Sequence, residues 1–294
     1  MQIGIAGVGR MGEAIALRLI DSGHTLTVWN RSPGKTAALE KAGAKVVGSP
    51  AEVAAASETI ITILIDAAAI DAVYDGPKGL LSGDIAGKLF IEMSTVLPET
   101  EKALAERVRA KGAAIIECPV GGTTGPARQG KLVGVAGGEA SDVARAKPIL
   151  DQMCRRVDHV GPTGTGAAMK LAINLPLMIY WQALGEALAL CRDVTLPADK
   201  MMELLGDTSG GPNVIRNRGA DLAAVLGGAE KRAAAFDIDG GRKDLRTMLA
   251  EGKNRGAAMP VTTAALTAFD EAAKNGWGGE DNTFMPAYWI NRKS

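Results

Sequence analysis

Ile3-Gly-Ile-Ala-Gly-Val-Gly-Arg-Met-Gly12 is a short apolar run that ends in Gly7-x-Gly9-x-x-Gly12. The run has the length of a buried strand, and the residues that follow, to about Ser22, have the apolar spacing of an amphipathic helix. A second strand, Thr25 to Trp29, comes at the distance that a strand, helix, strand unit needs. In that setting the glycines allow a tight turn, a close approach of backbone to a pyrophosphate and close packing of helix on strand. The helix N-terminus adds N–H donors and a positive dipole end. The stretch therefore predicts an α/β sheet that binds a dinucleotide.

The end of the second strand selects the dinucleotide. An acidic residue there would hold a ribose 2′-hydroxyl and repel a phosphate, but the chain has Asn30-Arg31-Ser32. Arg31 offers a planar fork of donors to a 2′-phosphate, with Asn30 and Ser32 as neutral partners. NADP is favoured, and an exposed loop arginine on an NAD enzyme is the other reading.

Strand and helix then keep alternating. Helices are expected from Pro33 to Ala42, from Pro50, from Ala67 to Val73, from Pro98 to Lys111 and from Ala140 to Met153. Strands are expected at Lys45–Val47, Glu58–Leu64, Lys88–Thr95, Ala113–Glu117, Lys131–Ala136 and Val157–Val160. Ligands of an open parallel sheet lie at the carboxyl ends of its strands, so Leu64, Ile65, Ser94 and Thr95 are candidate walls of a nicotinamide pocket or ordinary strand ends. The run Cys118-Pro-Val-Gly-Gly-Thr-Thr-Gly-Pro-Ala127 reads as a loop rich in amides and hydroxyls. It suits a carboxylate, sulfonate or phosphate, or is a plain connection.

Gly161-Pro-Thr-Gly-Thr-Gly-Ala-Ala-Met-Lys-Leu-Ala-Ile-Asn174 marks a change of organisation. Before it strand and helix alternate, and after it the composition suggests helices alone, near Ala198–Leu205, Val214–Val225, Asp239–Gly252 and Val261–Asn275. Turns are expected at Ser209-Gly-Gly-Pro212, Gly227-Gly228 and Gly276-Trp-Gly-Gly279. The domain division is expected at 1–161 and 162–294. Lys170 and Asn174 are four apart, which places both on one helix face. From Leu171 to Cys191 that helix is almost continuously apolar and must be packed along most of its circumference. A lysine at its head either faces a cleft, where desolvation favours proton exchange near neutral pH, or snorkels to water. Pro176 removes one helix hydrogen bond and is expected to disturb the segment beside Asn174.

Composition narrows the rest. Lysine plus arginine equals aspartate plus glutamate at 33 each in 294 residues, so no global field attracts nucleic acid or anionic lipid. Cys118, Cys154 and Cys191 lie far apart, and His24 and His159 are the histidines, which argues against a disulfide framework and a zinc site. A cytoplasmic protein is expected, with no signal peptide. Asn174, Pro176, Gln182, Glu186 and Arg192 interrupt the long apolar helix, so it reads as buried in protein rather than as a membrane span. Many apolar helices around one central helix suggest a bundle completed by a second subunit, a homodimer or homotetramer.

With these residues in view, the chain resembles the β-hydroxyacid dehydrogenase family over nearly its full length. The resemblance rests on blocks in family order: Gly7-Val-Gly-Arg-Met-Gly12, Cys118-Pro-Val-Gly-Gly-Thr123, Gly161 to Lys170 with Asn174, and Lys243-Asp244. It implies a Rossmann-type doubly wound sheet followed by an all-α C-terminal domain, with the active site in the cleft between them. It implies hydride transfer between NADP(H) and a small 3-hydroxy acid or its semialdehyde. Lys170 is then the catalytic acid/base, Asn174 holds substrate, Gly121, Gly122 and Thr123 receive its acid group, and Lys243 approaches the cofactor. Arg10, Met11, Leu64 and Thr95 carry over as cofactor contacts. Where many members have a serine followed by two glycines after the Pro-Val pair, this chain has Gly121-Gly122-Thr123. That is nearer the sulfolactaldehyde reductase variant, whose following arginine is Gly122 here. Imine reductases share the architecture but typically lack the lysine, and a non-catalytic dinucleotide-binding protein gives no account of Lys170 and Asn174.

Overall fold

A computed structural model describes residues 1–191, 193–208 and 211–291. Arg192, and Ser209 and Gly210 of the expected turn, lie outside the described residues. The chain forms two compact units, Met1–Leu171 and Ala172–Ser294.

In chain order the first unit runs β1 (Gln2–Ala6), α1 (Arg10–Asp21), β2 (Thr25–Trp29), α2 (Ala37–Lys41), β3 (Lys45–Val46), α3 (Pro50–Ala55), β4 (Thr59–Thr62), α4 (Ala67–Asp75), β5 (Leu89–Glu92), α5 (Pro98–Arg109) and β6 (Ala114–Glu117). There follow β7 (Val120–Gly121), α6 (Thr124–Arg128), β8 (Leu132–Gly137), α7 (Ala140–Met153) and β9 (Cys154–Gly161). The strands join in the order β3-β2-β1-β4-β5-β6-β8-β7, with β9 on β8. All pairs from β3 to β6 are parallel, and β8 turns antiparallel against β6 and β7. This is the α/β sheet that the alternation predicted, doubly wound as the family resemblance implied. Its parallel strands are buried on both faces, as Ile3, Ile5, Ile60, Ile61, Phe90 and Ile91 show at 0 % exposure.

The connection after β6 departs from the expected loop. Val120 and Gly121 pair antiparallel with Gly134 and Val133, and Thr124–Arg128 closes into a turn and a half of helix. A strand of two residues and a helix of five are too short to show a period.

The helix α8 (Thr165–Leu190) begins six residues earlier than the apolar pattern suggested and continues unbroken through Pro176. Its first residues belong to the first compact unit, which ends at Leu171. The second unit adds α9 (Ala198–Asp207), α10 (Asn213–Leu226), α11 (Ile238–Asn254) and α12 (Pro260–Ala272), close to the expected helices, and α13 (Met285–Asn291). Met178, Trp181 and Leu188 of α8 are buried, as are Leu245, Met248 and Phe269 of α11 and α12. A Cβ on Gly241 would stand 3.0 Å from Phe269 and 3.2 Å from Met178 Sδ, which is how closely these helices approach. The segment after Asn275 holds α13, absent from the sequence expectation because its glycine-rich approach reads as a turn. No helix among the described residues is long and apolar enough to cross a membrane.

Ile5, on a central strand and fully buried, should be far more sensitive than Val46 on the edge strand, which is 38 % exposed. We expect Ile5→Ala to cost about 2–5 kcal/mol. Val46→Ala should stay within about 0.5 kcal/mol. Both are read from urea midpoints.

Candidate active site

The glycine turn is built by close contact. Gly7 follows β1 with φ +101°, and a Cβ there would meet the Ile63 carbonyl at 2.3 Å and Leu64 Cδ2 at 2.9 Å. Gly12, inside α1, lies so near that its Cβ would stand 2.2 Å from the Gly7 carbonyl oxygen. Gly9 is different: nothing lies within 4 Å of the Cβ position, and the residue is exposed at the helix N-cap with no side chain to cap the first turn. Arg10 is exposed beside it, and Met11 is half-buried against the core.

Neighbouring strand ends are tied to this turn. Asn30 Oδ1 accepts from the Val8 amide at 3.0 Å, and its Nδ2 donates to the Ser32 carbonyl at 3.1 Å. The Asn30 side chain is thus engaged in shaping the turn, while Arg31 and Ser32 are exposed. Beyond β4, the Leu64 amide donates to Ser94 Oγ at 2.8 Å. Ser94 Oγ in turn forms a short bond to Glu92, whose other oxygen accepts the Ser94 amide at 2.8 Å. Ile65 is 65 % exposed and Thr95 half-buried.

Glu92 heads a buried acidic group that the sequence did not single out. Glu92, Glu101 and Glu117 are each at most 1 % exposed, and Glu92 and Glu117 are register partners on β5 and β6. Burial and the neighbouring Glu92 charge push the Glu101 carboxyl well above its ordinary value, and burial raises Glu92 as well. Glu117 Oε1 accepts from the amides of Gly164 at 2.6 Å and Gly166 at 2.8 Å, at the start of α8. Thr62, Tyr74 and Ser94 supply the remaining bonds around Glu92.

On α8, Lys170 and Asn174 are both buried, at 8 % and 9 % exposure, one turn apart as the spacing predicted. Asn174 Nδ2 donates to Asp244 Oδ2 at 3.1 Å, and Lys243 Nζ lies 2.8 Å from Asp244 Oδ1. The second unit thus brings Asn174 and Lys243 together through one carboxylate, itself 4 % exposed. In the first unit, Gly121 lies on β7, Gly122 takes φ +125° and Thr123 starts α6 without capping it. A Cβ on Gly122 would stand 2.7 Å from Leu132 Cδ2.

Residues 2–161 match the family described as the NAD binding domain of 6-phosphogluconate dehydrogenase. Residues 164–289 match that described as NAD-binding of NADP-dependent 3-hydroxyisobutyrate dehydrogenase. The chain is 33 % identical to glyoxylate/succinic semialdehyde reductase 1 of Arabidopsis thaliana, over 96 % of both chains. It is also 33 % identical to 3-sulfolactaldehyde reductase of Escherichia coli, over 95 % of this chain and 92 % of that one. This chain belongs to the β-hydroxyacid dehydrogenase family. Its fold is also that of a solved 3-hydroxyisobutyrate dehydrogenase from Salmonella typhimurium, with a TM-score of 0.86, 24 % identity and coverage of 98 % and 99 %.

As a member of this family the protein is an NAD(P)-dependent oxidoreductase, and the residues fit a dinucleotide. The open Cβ position at Gly9, the uncapped start of α1 and the exposed Arg31 leave room and donors for phosphates, whereas Gly7 and Gly12 are closed by backbone. Sequence reasoning missed Glu92, Glu101 and Glu117. The signal available was acidic residues ending or following two apolar strands, a place where a buried strand ordinarily has none.

The two kinds of glycine should separate in experiment. Gly12→Ala is expected to lose about 1–3 kcal/mol through overpacking against the Gly7 carbonyl. Gly9→Ala should leave the melting temperature unchanged while weakening NADPH binding in a fluorescence titration. Equal thermal losses for both would contradict the geometry.

Proposed function

We propose that this protein catalyses reversible hydride transfer between NADP(H) and a small acid that carries an alcohol or aldehyde carbon, with Lys170 as the proton donor and acceptor. The observation that supports it most is a lysine buried on α8 one turn before a buried asparagine. A surface lysine needs no such placement, whereas a desolvated ammonium beside substrate is suited to giving up and retaking a proton.

The nicotinamide, when bound, supplies or accepts the hydride. The chain's own residues do the rest. In the reducing direction Lys170 Nζ donates a proton to the developing alkoxide, and in oxidation the free amine removes it from the hydroxyl. Asn174, fixed by Asp244, offers a hydrogen bond to substrate. Gly121, Gly122 and Thr123 receive the acid group, and Arg10, Met11, Leu64, Ile65, Thr95 and Lys243 contact the dinucleotide. Arg31 and Ser32 read the 2′-phosphate, with NAD as the second choice of cofactor.

The names of the relatives support a short aldehyde acid as substrate, since those proteins act on glyoxylate, succinic semialdehyde and sulfolactaldehyde. The loop here lacks the serine hydroxyl found in many members, which favours an acid group held chiefly by backbone amides. Residues 1–161 carry most of the NADP contacts, and residues 162–294, beginning with the helix that bears Lys170 and Asn174, serve substrate contact and assembly as a homodimer or homotetramer. The protein is assigned to the cytoplasm.

Lys170→Ala should lower kcat by about 10²–10⁴-fold with cofactor affinity retained. Near-normal turnover, followed by NADPH absorbance against a panel of carboxylate, sulfonate and phosphonate aldehydes, would remove lysine from the chemistry. For the cofactor, Arg31→Asp should shift the NADP to NAD efficiency ratio by about 10- to 100-fold, the equivalent of one charge-assisted contact at about 1.5–3 kcal/mol. An unchanged ratio means that the phosphate is read elsewhere.

A further inference from the structure

The Gly161-Pro-Thr-Gly-Thr-Gly166 approach to α8 is explained neither by dinucleotide binding nor by the proton-transfer role of Lys170. It is the seat of a buried carboxylate. Glu117, at the end of β6, sends Oε1 to the amides of Gly164 and Gly166, and the Ala167 amide also points at this carboxylate. These are N–H groups of the first turn of α8, which ordinarily need an acceptor from outside the helix. Two glycines make the seat physically available. A Cβ on Gly137 would stand 2.2 Å from Glu117 Oε1, and one on Gly166 would stand 2.6 Å from the Val135 carbonyl and 3.1 Å from the Gly137 amide. Gly164 turns at φ +98°, where a Cβ would strike Lys102 at 2.7 Å.

We propose that Glu117 is a positioning residue for Lys170: its carboxylate clamps the first turn of α8 and so fixes the backbone from which Lys170 projects. The link is one residue long. Within the helix the Lys170 N–H bonds the Gly166 carbonyl, and the N–H of that same Gly166 is held by Glu117. The proposal rests on the role assigned to Lys170 above.

The clamp is sensitive to protonation. Glu117 Oε2 is buried with no hydrogen-bond partner among the described residues, so half of the carboxylate charge is desolvated without compensation. Burial pushes the carboxyl from 4.5 up to about 7, against the three amides that favour the charged form, and Glu92 adds a further push upward. A proton settling on Oε2 leaves Oε1 as an acceptor but removes the charge, and neutral bonds are about half as strong as charge-assisted ones. Acidification through neutrality therefore loosens the first turn of α8. The titratable and charged groups around this seat are Glu92 on β5, Glu101 and Lys102 on α5, and Cys118 next in sequence. Arg109 reaches Thr163 at 3.2 Å, and His159 on β9 has Nε2 2.9 Å from the Gly161 carbonyl.

Glu117→Gln preserves shape and an acceptor oxygen without a charge. In the wild type kcat should rise several-fold across an inflection near pH 7. In Glu117→Gln it should remain at the low plateau without that inflection, with the KM for NADPH within about twofold, a change far smaller than the tenfold of a lost contact. His159→Gln should keep the inflection. A second readout uses the protein without cofactor or substrate. The folded carboxyl is raised above its unfolded value, so its stabilising effect is complete below pH 4.5 and is lost as pH rises through about 7. The melting temperature of the wild type should therefore fall relative to Glu117→Gln between pH 5 and 8. Should Glu117→Gln fail to fold, Glu117→Asp keeps the charge but withdraws it from the amides. It should lower kcat and retain the inflection, and wild-type kcat in that variant overturns the proposal.

A wild-type pH profile in Glu117→Gln, or an inflection abolished only by His159→Gln, also overturns it. Full activity of Lys170→Ala would instead defeat the assigned function, while the melting-temperature series would still report whether Glu117 titrates in its seat.

Discussion

The structure of the first unit depends on helix starts that press against strand ends with no room for a side chain. At α1 the contact is Gly12 against the Gly7 carbonyl, and at α8 it is Gly166 against the Val135 carbonyl and the Gly137 amide. Backbone meets backbone in both places. Such proximity lets a helix dipole and its unbonded amides act at the carboxyl end of the sheet, where they are partly shielded from water.

What the two helix starts do with those amides differs. The N-cap of α1 is Gly9, with open space at its Cβ position, so its donors face a volume that a phosphate can fill. The start of α8 is already filled by the chain's own carboxylate, Glu117. One start serves as a ligand site and the other as a structural anchor. The difference lies in whether a buried acidic side chain is within reach, and β6 ends in one that accepts from those amides.

This explains which parts of the site were legible in the sequence. Gly7, Gly9 and Gly12 form a local pattern flanked by the right elements, and Lys170 and Asn174 share a face through a spacing of four, so neither required knowledge of the fold. The same is true of α7, which spans Ala140–Met153 as the periodicity placed it. Glu117 acts on residues 47 and 49 positions away, and Ser94 on Leu64 across 30, so their partners exist only once β4, β5 and β6 are aligned. Asn30 has a role in the fold that its sequence position did not announce. The sequence offered it to a phosphate, and the folded chain also uses its oxygen to hold the Val8 amide. Elements of two to seven residues, such as β7, α6 and α13, are fixed by what they pack against, and period-based reading cannot see them.

Burying Lys170, Asn174 and Asp244 gives the fold no stability that apolar residues would not provide better. Desolvating a charge costs several kcal/mol, and pairing generally only offsets that cost. The apolar remainder of α8, with Met178, Trp181, Leu184 and Leu188 nearly inaccessible, is what makes the cost bearable. Asp244 lowers it further by bonding Asn174 and Lys243 through separate oxygens, so each oxygen of the carboxylate is satisfied. Glu117 differs from Asp244, with one oxygen bonded and the other without a hydrogen-bond partner among the described residues, as is also the case for Glu101 and Glu251. The bare oxygen leaves the carboxylate close to its protonation equilibrium at neutral pH, and that is the physical condition for coupling the start of α8 to the proton concentration.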